Sequence, residues 1–288
     1  MNIDPRTSVS NVNINKTDHN TEDKEGEASM QVNGTNEDKE GRSTVQVNEE
    51  VKGQEEVYGY VCLINRVEGN RREVLVDQWP DFRVVLVKPG QQEVLHKKAD
   101  TLKYVSIFTK DESRLRNILT GTDVHDWKQN FTLSVELQHE PIIKAVAANK
   151  GVPNTKTYFC HLMRLQDPSK LTAERLSFQA SSVKESHAAL INSKWKVGMS
   201  ELTEPLIRGM IRNFPSCCVL DSEGRPVSCL LTYPSCTMGV MYTLPEYRQK
   251  GYAKALSTIL AKKLHSEGYP VYCFFEEGNQ ASYRLLTS

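Results

Sequence analysis

The segment from 217 to 276 constrains the fold more than any other part of this chain. It reads as a hairpin that turns at 221–224, a further strand, a turn with a glycine, a helix and a closing strand, "YPVYCFF". The predicted helix spans about 250–266, and its apolar residues recur on one face at Ala253, Leu256, Leu260 and Leu264. A strand that is followed by a helix and another strand is typical of an α/β unit.

A second α/β unit is predicted over 57–166. The runs "VYGYVCLIN", "RVVLV", "TLKYVSIFT" and "KTYFCHLMRL" predict strands, and "DESRLRNILTG" and "EPIIKAVAANKG" predict helices that end at glycines. Residues 167–182 predict a linker, and the unit with the opening segment then spans 183–288. There, "SELTEPLIRGMIRNF" predicts a helix capped by Ser200, and Asn279 is predicted to cap a short last helix, "QASYRLLT".

The first 56 residues differ from the rest in composition. They hold thirteen acidic and six basic side chains, few aromatics, and a near repeat in which "EDKEGEASMQVN" returns as "EDKEGRSTVQVN". Because two copies of a polar unit cannot build a core, we predict a disordered acidic tail over 1–56. Its acidity is unlike the Arg-rich composition of a mitochondrial transit peptide.

The charge and cysteine content exclude several classes of function. The net charge of zero combines the acidic start with a mildly basic remainder, which suits a small anionic ligand and is far from that of a nucleic-acid-binding domain. No apolar run reaches the ~20 residues that cross a bilayer. The seven cysteines show no metal-ligand spacing, so we predict reduced thiols, an intracellular protein and no bound metal.

The stretch "TLPEYRQKGYAKAL" at 243–256 is the best candidate for a binding site. Arg248, Gly251 and Ala253 follow the pattern R-x-x-G-x-A at the point where a strand passes into a helix. The first amides of a helix lack internal acceptors, and a glycine lets a bulky anion approach the backbone closely. The pattern alone fits a solvated basic turn equally well. The strand before it and the helix after it favour a site for a pyrophosphate.

Through this loop and several other segments, the sequence resembles a known family. The loop matches the pyrophosphate loop of the GNAT superfamily of N-acetyltransferases. More specifically, "VYGYVCLINR", "VLVDQWPDF", "DWKQNF", "NFPSCCVLDSEGRPVSCLL" and "YTLPEYRQKGYAK" are similar to segments of glycine N-acyltransferases and glycine N-acyltransferase-like proteins. The resemblance covers the chain from about residue 57 to its last residue. It implies an α/β (α+β) fold of two GNAT-like halves, each a mixed, mostly antiparallel sheet flanked by helices.

The resemblance also implies a reaction and a set of binding residues. The family joins the acyl group of an acyl-CoA to the amine of glycine or a similar small amino acid. The C-terminal half is expected to bind the acyl-CoA through Tyr242, Thr243, Leu244, Arg248, Gln249, Lys250, Gly251, Tyr252, Ala253, Lys254, Asn279 and Ser282.

The sequence departs from the family pattern at the catalytic positions. Thr237 stands where the family has its general base, a glutamate, so a water relay, or Glu276 or Glu277, would have to replace it. The position of the GNAT tyrosine that protonates the thiolate is Leu286, and Tyr283 lies about one helical turn earlier. The chain also stops where relatives continue with further strands, which implies that the C-terminal half lacks its last strands.

Three functions therefore stay open at this point: an acyl-CoA:amino acid N-acyltransferase, a GNAT that acetylates protein or peptide amines, and an acyl-CoA-binding protein without activity. We favour the first, acting as a monomer without membrane or nucleic-acid partners. The resemblance implies a mitochondrial location, and the acidic start leaves a cytoplasmic location as the alternative.

Overall fold

The computed structural model describes residues 8–14, 54–66, 72–90, 104–121, 131–153, 155–165, 178–195 and 203–287, with isolated positions between them. These residues form one eleven-stranded sheet and seven α-helices. The strands are β1 (Ser8–Ile14), β2 (Arg72–Val76), β3 (Val84–Pro89), β4 (Tyr104–Thr109), β5 (Phe131–Glu136), β6 (Thr155–Arg164), β7 (Ala180–Ser181), β8 (Cys217–Leu220), β9 (Pro226–Thr232), β10 (Met238–Thr243) and β11 (Tyr272–Glu276). The helices are α1 (Glu55–Arg66), α2 (Glu112–Gly121), α3 (Glu140–Asn149), α4 (Ala188–Lys194), α5 (Glu204–Asn213), α6 (Tyr252–Ser266) and α7 (Gln280–Thr287).

The sheet repeats one connection pattern in its two halves. Its strand order is β2-β3-β4-β5-β1-β6-β11-β10-β9-β8-β7. In the N-terminal half, β2, β3 and β4 are antiparallel neighbours, and the chain then crosses through α2 to β5, which is parallel to β4. In the C-terminal half, β7 to β10 are antiparallel neighbours, and the chain crosses through α6 to β11, which is parallel to β10. The predicted α/β class with two mixed, helix-flanked halves is confirmed, and the halves join in one continuous sheet.

Helices cover both faces of this sheet because its strands alternate apolar side chains between the two faces. In β3, Val84 and Leu86 pack against α2 and α3, whereas Val85 and Val87 pack against α1. In the C-terminal half, α6 packs on the first face and α4 and α5 pack on the second. Helix α1 therefore lies on the same face as α4 and α5, over the middle of the sheet.

The predicted strand at "VYGYVCLIN" is wrong, because this segment is the middle of helix α1. Its β-branched and aromatic residues favour a strand, yet its innermost side chains include Val57, Tyr60 and Val61, at helical spacing. Glu55 and Glu56 stand in the first turn, where carboxylates favour the positive end of a helix. Packing of one face over the sheet thus decides between the two structures.

The predicted disorder over 1–56 is also wrong in two places. Residues 8–14 form β1, which lies between β5 and β6 and is antiparallel to both. Glu55 and Glu56 belong to α1. A polar strand of this kind becomes stable once both of its edges are hydrogen-bonded, which composition does not reveal. Apart from Gln54, the other residues of that segment, including the repeat, lie outside the described residues.

Most of the remaining elements match their predictions. The helices at 112–121 and 140–149, the strands β3, β4 and β6, and the β8–β9 hairpin lie where the patterns place them. The predicted linker at 167–182 extends too far, because Ala180 and Ser181 pair with β8 and belong to the C-terminal half. Helix α5 begins at Glu204, and the predicted cap Ser200 lies outside the described residues.

Candidate functional site

Strands β10 and β11 separate from each other and leave a slot between their carboxyl ends. Both strands are described in full, and their pairing is confined to Met238 with Cys273. The register of β10 against β9 shifts between Gly239 and Tyr242, and Val240 takes a positive φ of 52° at this bulge. Bulges of this kind redirect backbone groups and are common beside active sites. The slot is therefore able to receive an extended ligand along the backbone of β10.

The loop after β10 leads from the slot to the start of α6. A single turn of 3₁₀ helix, Pro245–Tyr247, is followed by Gln249 and Gly251 with φ values of 60° and 77°. A Cβ atom added to Gly251 would meet no heavy atom of the described residues within 4 Å. This position therefore needs a glycine for its backbone conformation, and the space above it is open.

Within the part of the chain that the structure describes, the start of α6 presents its amides without a side-chain cap. Gly251 is the N-cap residue, and the first hydrogen bond of the helix runs from the Ala255 N–H to the Gly251 carbonyl at 3.0 Å. The amides before Ala255 therefore point out of the helix at its positive end.

The corresponding crossover helix of the N-terminal half is different. At the start of α2, Asp111 Oδ1 accepts the Arg114 N–H at 3.0 Å, and Glu112 follows directly. The carboxylate of Asp111 already occupies this helix start, and its negative charge repels an anion. Of the two equivalent helix starts, the one at α6 is suited to bind a phosphate.

Basic side chains surround the start of α6. The exposed Arg248 donates from Nε to the Thr243 carbonyl at 3.1 Å, which ties the loop to the end of β10. Lys250 Nζ lies 4.7 Å from the centre of the Tyr247 ring, a cation–π distance. Tyr252 packs edge-to-face on Phe178 with ring centres 4.8 Å apart. The predicted loop residues 242–254 are thus brought together around one open helix start.

Helix α7 follows β11 on the other side of the slot. Asn279 Oδ1 accepts the Ser282 N–H at 3.1 Å, so Asn279 caps this helix as predicted. Tyr283 is 43% exposed and packs on Phe275 with ring centres 6.2 Å apart. Leu286 contacts the apolar core between α6 and the sheet and has no proton to donate.

Thr237 is buried directly before β10 and is fully engaged in hydrogen bonds. It is 4% exposed, and its Oγ1 lies 2.9 Å from Ser235 Oγ. It also bonds the side chain of Tyr272, whose hydroxyl donates to the Ser235 carbonyl. A hydroxyl held in this way has no basicity at neutral pH, so Thr237 has a structural role.

The turn before Thr237 also docks onto helix α1 of the N-terminal half. Cys236 Sγ lies 3.3 Å from the Gly59 carbonyl, and a Cβ atom on Gly59 would come within 1.8 Å of the Ser235 carbonyl oxygen. Sequence reasoning did not single out Gly59 or Tyr272. A glycine inside a helix signals a close approach, but the strand-like composition of this segment hides that signal.

The two glutamates considered as substitute bases lie away from this buried cluster. Glu276 and Glu277 are exposed at the end of β11, and the Glu277 N–H donates to the Phe159 carbonyl at 3.0 Å. Tyr272 stands four residues before Glu276, about 13 Å along an extended strand. The structure therefore separates them from Thr237.

Three further features concern metal sites, membrane spans and cysteines. Across the described part of the chain, no group of three or more His, Cys, Asp or Glu side chains is arranged to hold a metal ion. None of the described helices combines the length and apolar character of a membrane span. The seven cysteines are all buried as free thiols.

Comparison with known proteins places the chain in a family. The model of the aralkyl acyl-CoA:amino acid N-acyltransferases matches residues 55–215, and that of their C-terminal region matches 217–288. Mouse glycine N-acyltransferase is 30% identical over 80% of this chain and 84% of its own length. Bovine glycine N-phenylacetyltransferase is 29% identical over 78% and 83%.

A solved Drosophila structure shares the fold across both halves, with a TM-score of 0.72 and 16% identity over 90% of this chain and 93% of that chain. That likeness concerns the fold. The two family models, which cover nearly all of the chain after residue 54, and the mouse relative identify an acyltransferase that uses acyl-CoA. The chain belongs to the aralkyl acyl-CoA:amino acid N-acyltransferase family.

Proposed function

We propose that this protein transfers the acyl group of an acyl-CoA to the amine of glycine or a similarly small amino acid. The observation that carries the proposal is the open, uncapped start of α6 beside the slot between β10 and β11. Family membership supplies the reaction class, and several relatives at 29–30% identity carry glycine in their names.

In this proposal the CoA pyrophosphate lies at the start of α6. The amides of Gly251, Tyr252 and Ala253 donate to the phosphate oxygens, and the positive end of the helix adds electrostatic stabilisation. Arg248 and Lys250 add positive charge at the rim. The pantetheine arm then follows β10 along Tyr242 and Thr243 into the slot, with α7, capped by Asn279, on the far side.

The chemistry is an acyl transfer from sulfur to nitrogen. The amine nitrogen loses a proton, and its lone pair forms a bond to the thioester carbonyl carbon. The C–S bond then breaks, and its electron pair leaves on the CoA sulfur. Of the two protons that the ammonium nitrogen loses overall, one protonates the thiolate and the other passes to solvent. Thr237 does not accept the first of these protons, because its hydroxyl is buried and already hydrogen-bonded.

A matched pair of glycine substitutions tests the CoA site. Gly251→Asp places a carboxylate where the phosphates are proposed to lie, and we expect it to weaken CoA binding by about 100-fold or more in calorimetry. Gly224→Asp is the control, because Gly224 has a φ of 78° and equally open surroundings but lies in the β8–β9 turn. Equal CoA affinities for the two variants, with the fold intact by circular dichroism, would refute the assignment.

Turnover is tested separately from binding. A thiol reagent measures CoA release from acetyl-, benzoyl- and long-chain acyl-CoA with glycine, glutamine and other amino acids, and with peptide amines. We expect release to depend on the amino acid. Tight CoA binding without release on any acceptor would leave a non-enzymatic acyl-CoA-binding protein, and release with peptide amines alone would identify a peptide acetyltransferase.

We further propose a monomer in mitochondria, built from two domains that meet between residues 167 and 179. The monomeric state and the mitochondrial location rest on family resemblance. The division into two domains rests on the repeated connection pattern of the two halves. Size-exclusion chromatography with light scattering, imaging of the tagged full chain and limited proteolysis test them in turn. A dimer, a cytosolic signal or cleavage outside this range would refute the respective point.

A further inference from the structure

A polar pocket lies under helix α1, on the face of the sheet where the two halves meet. It encloses about 20 Å³, enough for one group of the size of a water molecule, and it is partly open to solvent. Its lining comes from the first turn of α1, from the middle of β4, β5 and β6, and from β11. Because β11 also forms one wall of the slot, the pocket and the slot share a strand.

Carboxylates and hydroxyls form the polar wall of the pocket. Glu56 accepts a hydrogen bond from the Ser134 hydroxyl and faces that of Ser106, and burial raises the pKa of its carboxyl more than these hydroxyls lower it. Glu136, at the rim, accepts a hydrogen bond from Gln138 Nε2 at 2.8 Å. Leu162 and Phe274 provide an apolar wall.

Glu55 provides an independent sign that the pocket takes a ligand. The residue is 6% exposed, and one carboxylate oxygen, Oε1, is bound by Arg164 Nη1 at 2.8 Å. The other oxygen, Oε2, is buried without a hydrogen-bond partner among the described residues. A buried acceptor of this kind is costly when left unsatisfied, so it needs an explanation.

The charges around the pocket favour a cation as the occupant. Three carboxylates line it, those of Glu55, Glu56 and Glu136. Among the described residues, two guanidinium groups stand nearby, and both are already engaged. Arg164 pairs with Glu55, and Arg72 donates to the Tyr104 carbonyl at 3.0 Å and stacks on the Tyr60 ring.

A small alkylammonium fits this arrangement better than a hydrated metal ion. Its N–H donors match the open oxygen of Glu55 and the carboxylate of Glu56, and its carbon atoms match the apolar wall. We infer that this pocket binds the ammonium group of the acceptor amine. The inference rests on the proposed acyl transfer and assigns the acceptor to the junction of the halves.

This placement also supplies a proton acceptor that Thr237 does not. An ammonium group held against Glu56 can pass one proton to its carboxylate, and the electron pair of that N–H bond stays on nitrogen for attack on the thioester. Glu56 is thus assigned to binding the amine and to receiving its first proton.

Direct binding of a cationic amine tests the inference without relying on turnover. The CoA-saturated full chain is titrated with glycinamide hydrochloride and with its neutral relative N-acetylglycinamide in a calorimeter. We expect glycinamide to bind and N-acetylglycinamide to bind at least about tenfold more weakly. Glu55→Gln and Glu56→Gln are each expected to weaken glycinamide about tenfold or more and to leave CoA affinity unchanged.

Two further variants make the test selective. Glu223→Gln is the control, because this exposed carboxylate lies in the β8–β9 turn. Ser134→Ala removes one hydroxyl partner of Glu56 while keeping both carboxylates, and we expect a smaller loss of amine affinity. In CoA-release assays, Glu56→Gln is expected to raise KM for the amine and to lower kcat as well.

The outcomes separate this inference from the proposed function. If the wild-type protein releases CoA and the Glu55 and Glu56 variants keep its amine affinity and KM, the inference is wrong and the function stands. If the wild-type protein shows no turnover but binds glycinamide through these two carboxylates, the function is wrong, and of the inference only the amine-binding pocket stands. Absence of glycinamide binding by the wild-type protein overturns the inference.

Discussion

Replacing Gly59 by alanine tests how helix α1 is seated on the C-terminal half. The added Cβ atom would lie 1.8 Å from the Ser235 carbonyl oxygen, 2.7 Å from its carbon and 3.1 Å from the Tyr272 hydroxyl. The first two atoms are backbone, so they cannot rotate away. Either α1 or the turn at Ser235 must therefore move until the contact is at least 3.0 Å long, a displacement that a close-packed interior resists.

The size of the effect follows from two opposing terms. Alanine is favoured over glycine inside a helix by about 1 kcal/mol. Overpacking a close-packed contact costs about 1–3 kcal/mol, and a rigid backbone contact belongs at the upper end of that range. We therefore expect Gly59→Ala to lower the free energy of unfolding by about 2 kcal/mol, which corresponds to a fall in Tm of roughly 4–8 °C for a protein of this size.

Gly209→Ala is the matched control, because Gly209 also lies inside a helix but an added Cβ atom would meet nothing within 4 Å. At Gly209 only the higher helix propensity of alanine acts, so we expect the free energy of unfolding to rise by about 0.5–1 kcal/mol. Urea denaturation followed by circular dichroism measures both variants. If Gly59→Ala stabilises the protein as Gly209→Ala does, the close approach of α1 to the turn is refuted.

Two further predictions concern the cysteines and the last helix. All seven thiols are buried, and burial raises the pKa of Cys217 to about 12 and that of Cys218 to about 11, so at pH 8 almost none of these two thiols is ionised. A chromogenic disulfide reagent should label none of the seven rapidly in the native protein and all seven in denaturant, and rapid native labelling would contradict their burial. Asn279→Ala should destabilise α7 by about 1 kcal/mol, because it removes the acceptor of the Ser282 amide. Faster hydrogen exchange at the amides of α7 checks this, and unchanged exchange would show that the cap contributes nothing.

The sequence predicts most of the structure where local patterns and the fold agree. The β8–β9 hairpin has a turn sequence between two apolar runs, and α6 has an apolar stripe that starts after Gly251. The open helix start is therefore visible from the sequence, since its glycine, basic residues and preceding strand are contiguous.

Prediction fails where distant segments decide the structure. Strand β1 pairs with β5 and β6, which lie far along the chain, and its polar composition gives no sign of this. The side chains of 57–64 favour a strand until the sheet beneath them is known. The acidic pocket draws on α1, β4, β5, β6 and β11, so no single motif contains it.

The pairing of β11 with β6 attaches one wall of the slot to the N-terminal half. Tyr272 to Glu276 pair along their whole length with Cys160 to Arg164 of the N-terminal half, whereas β11 meets β10 at a single position. One wall of the slot is therefore anchored to the N-terminal half and the other to the C-terminal half. A ligand that fills the slot bridges the two halves, so its binding energy adds to their cohesion, and the two halves should melt together in a single transition that CoA shifts to higher temperature.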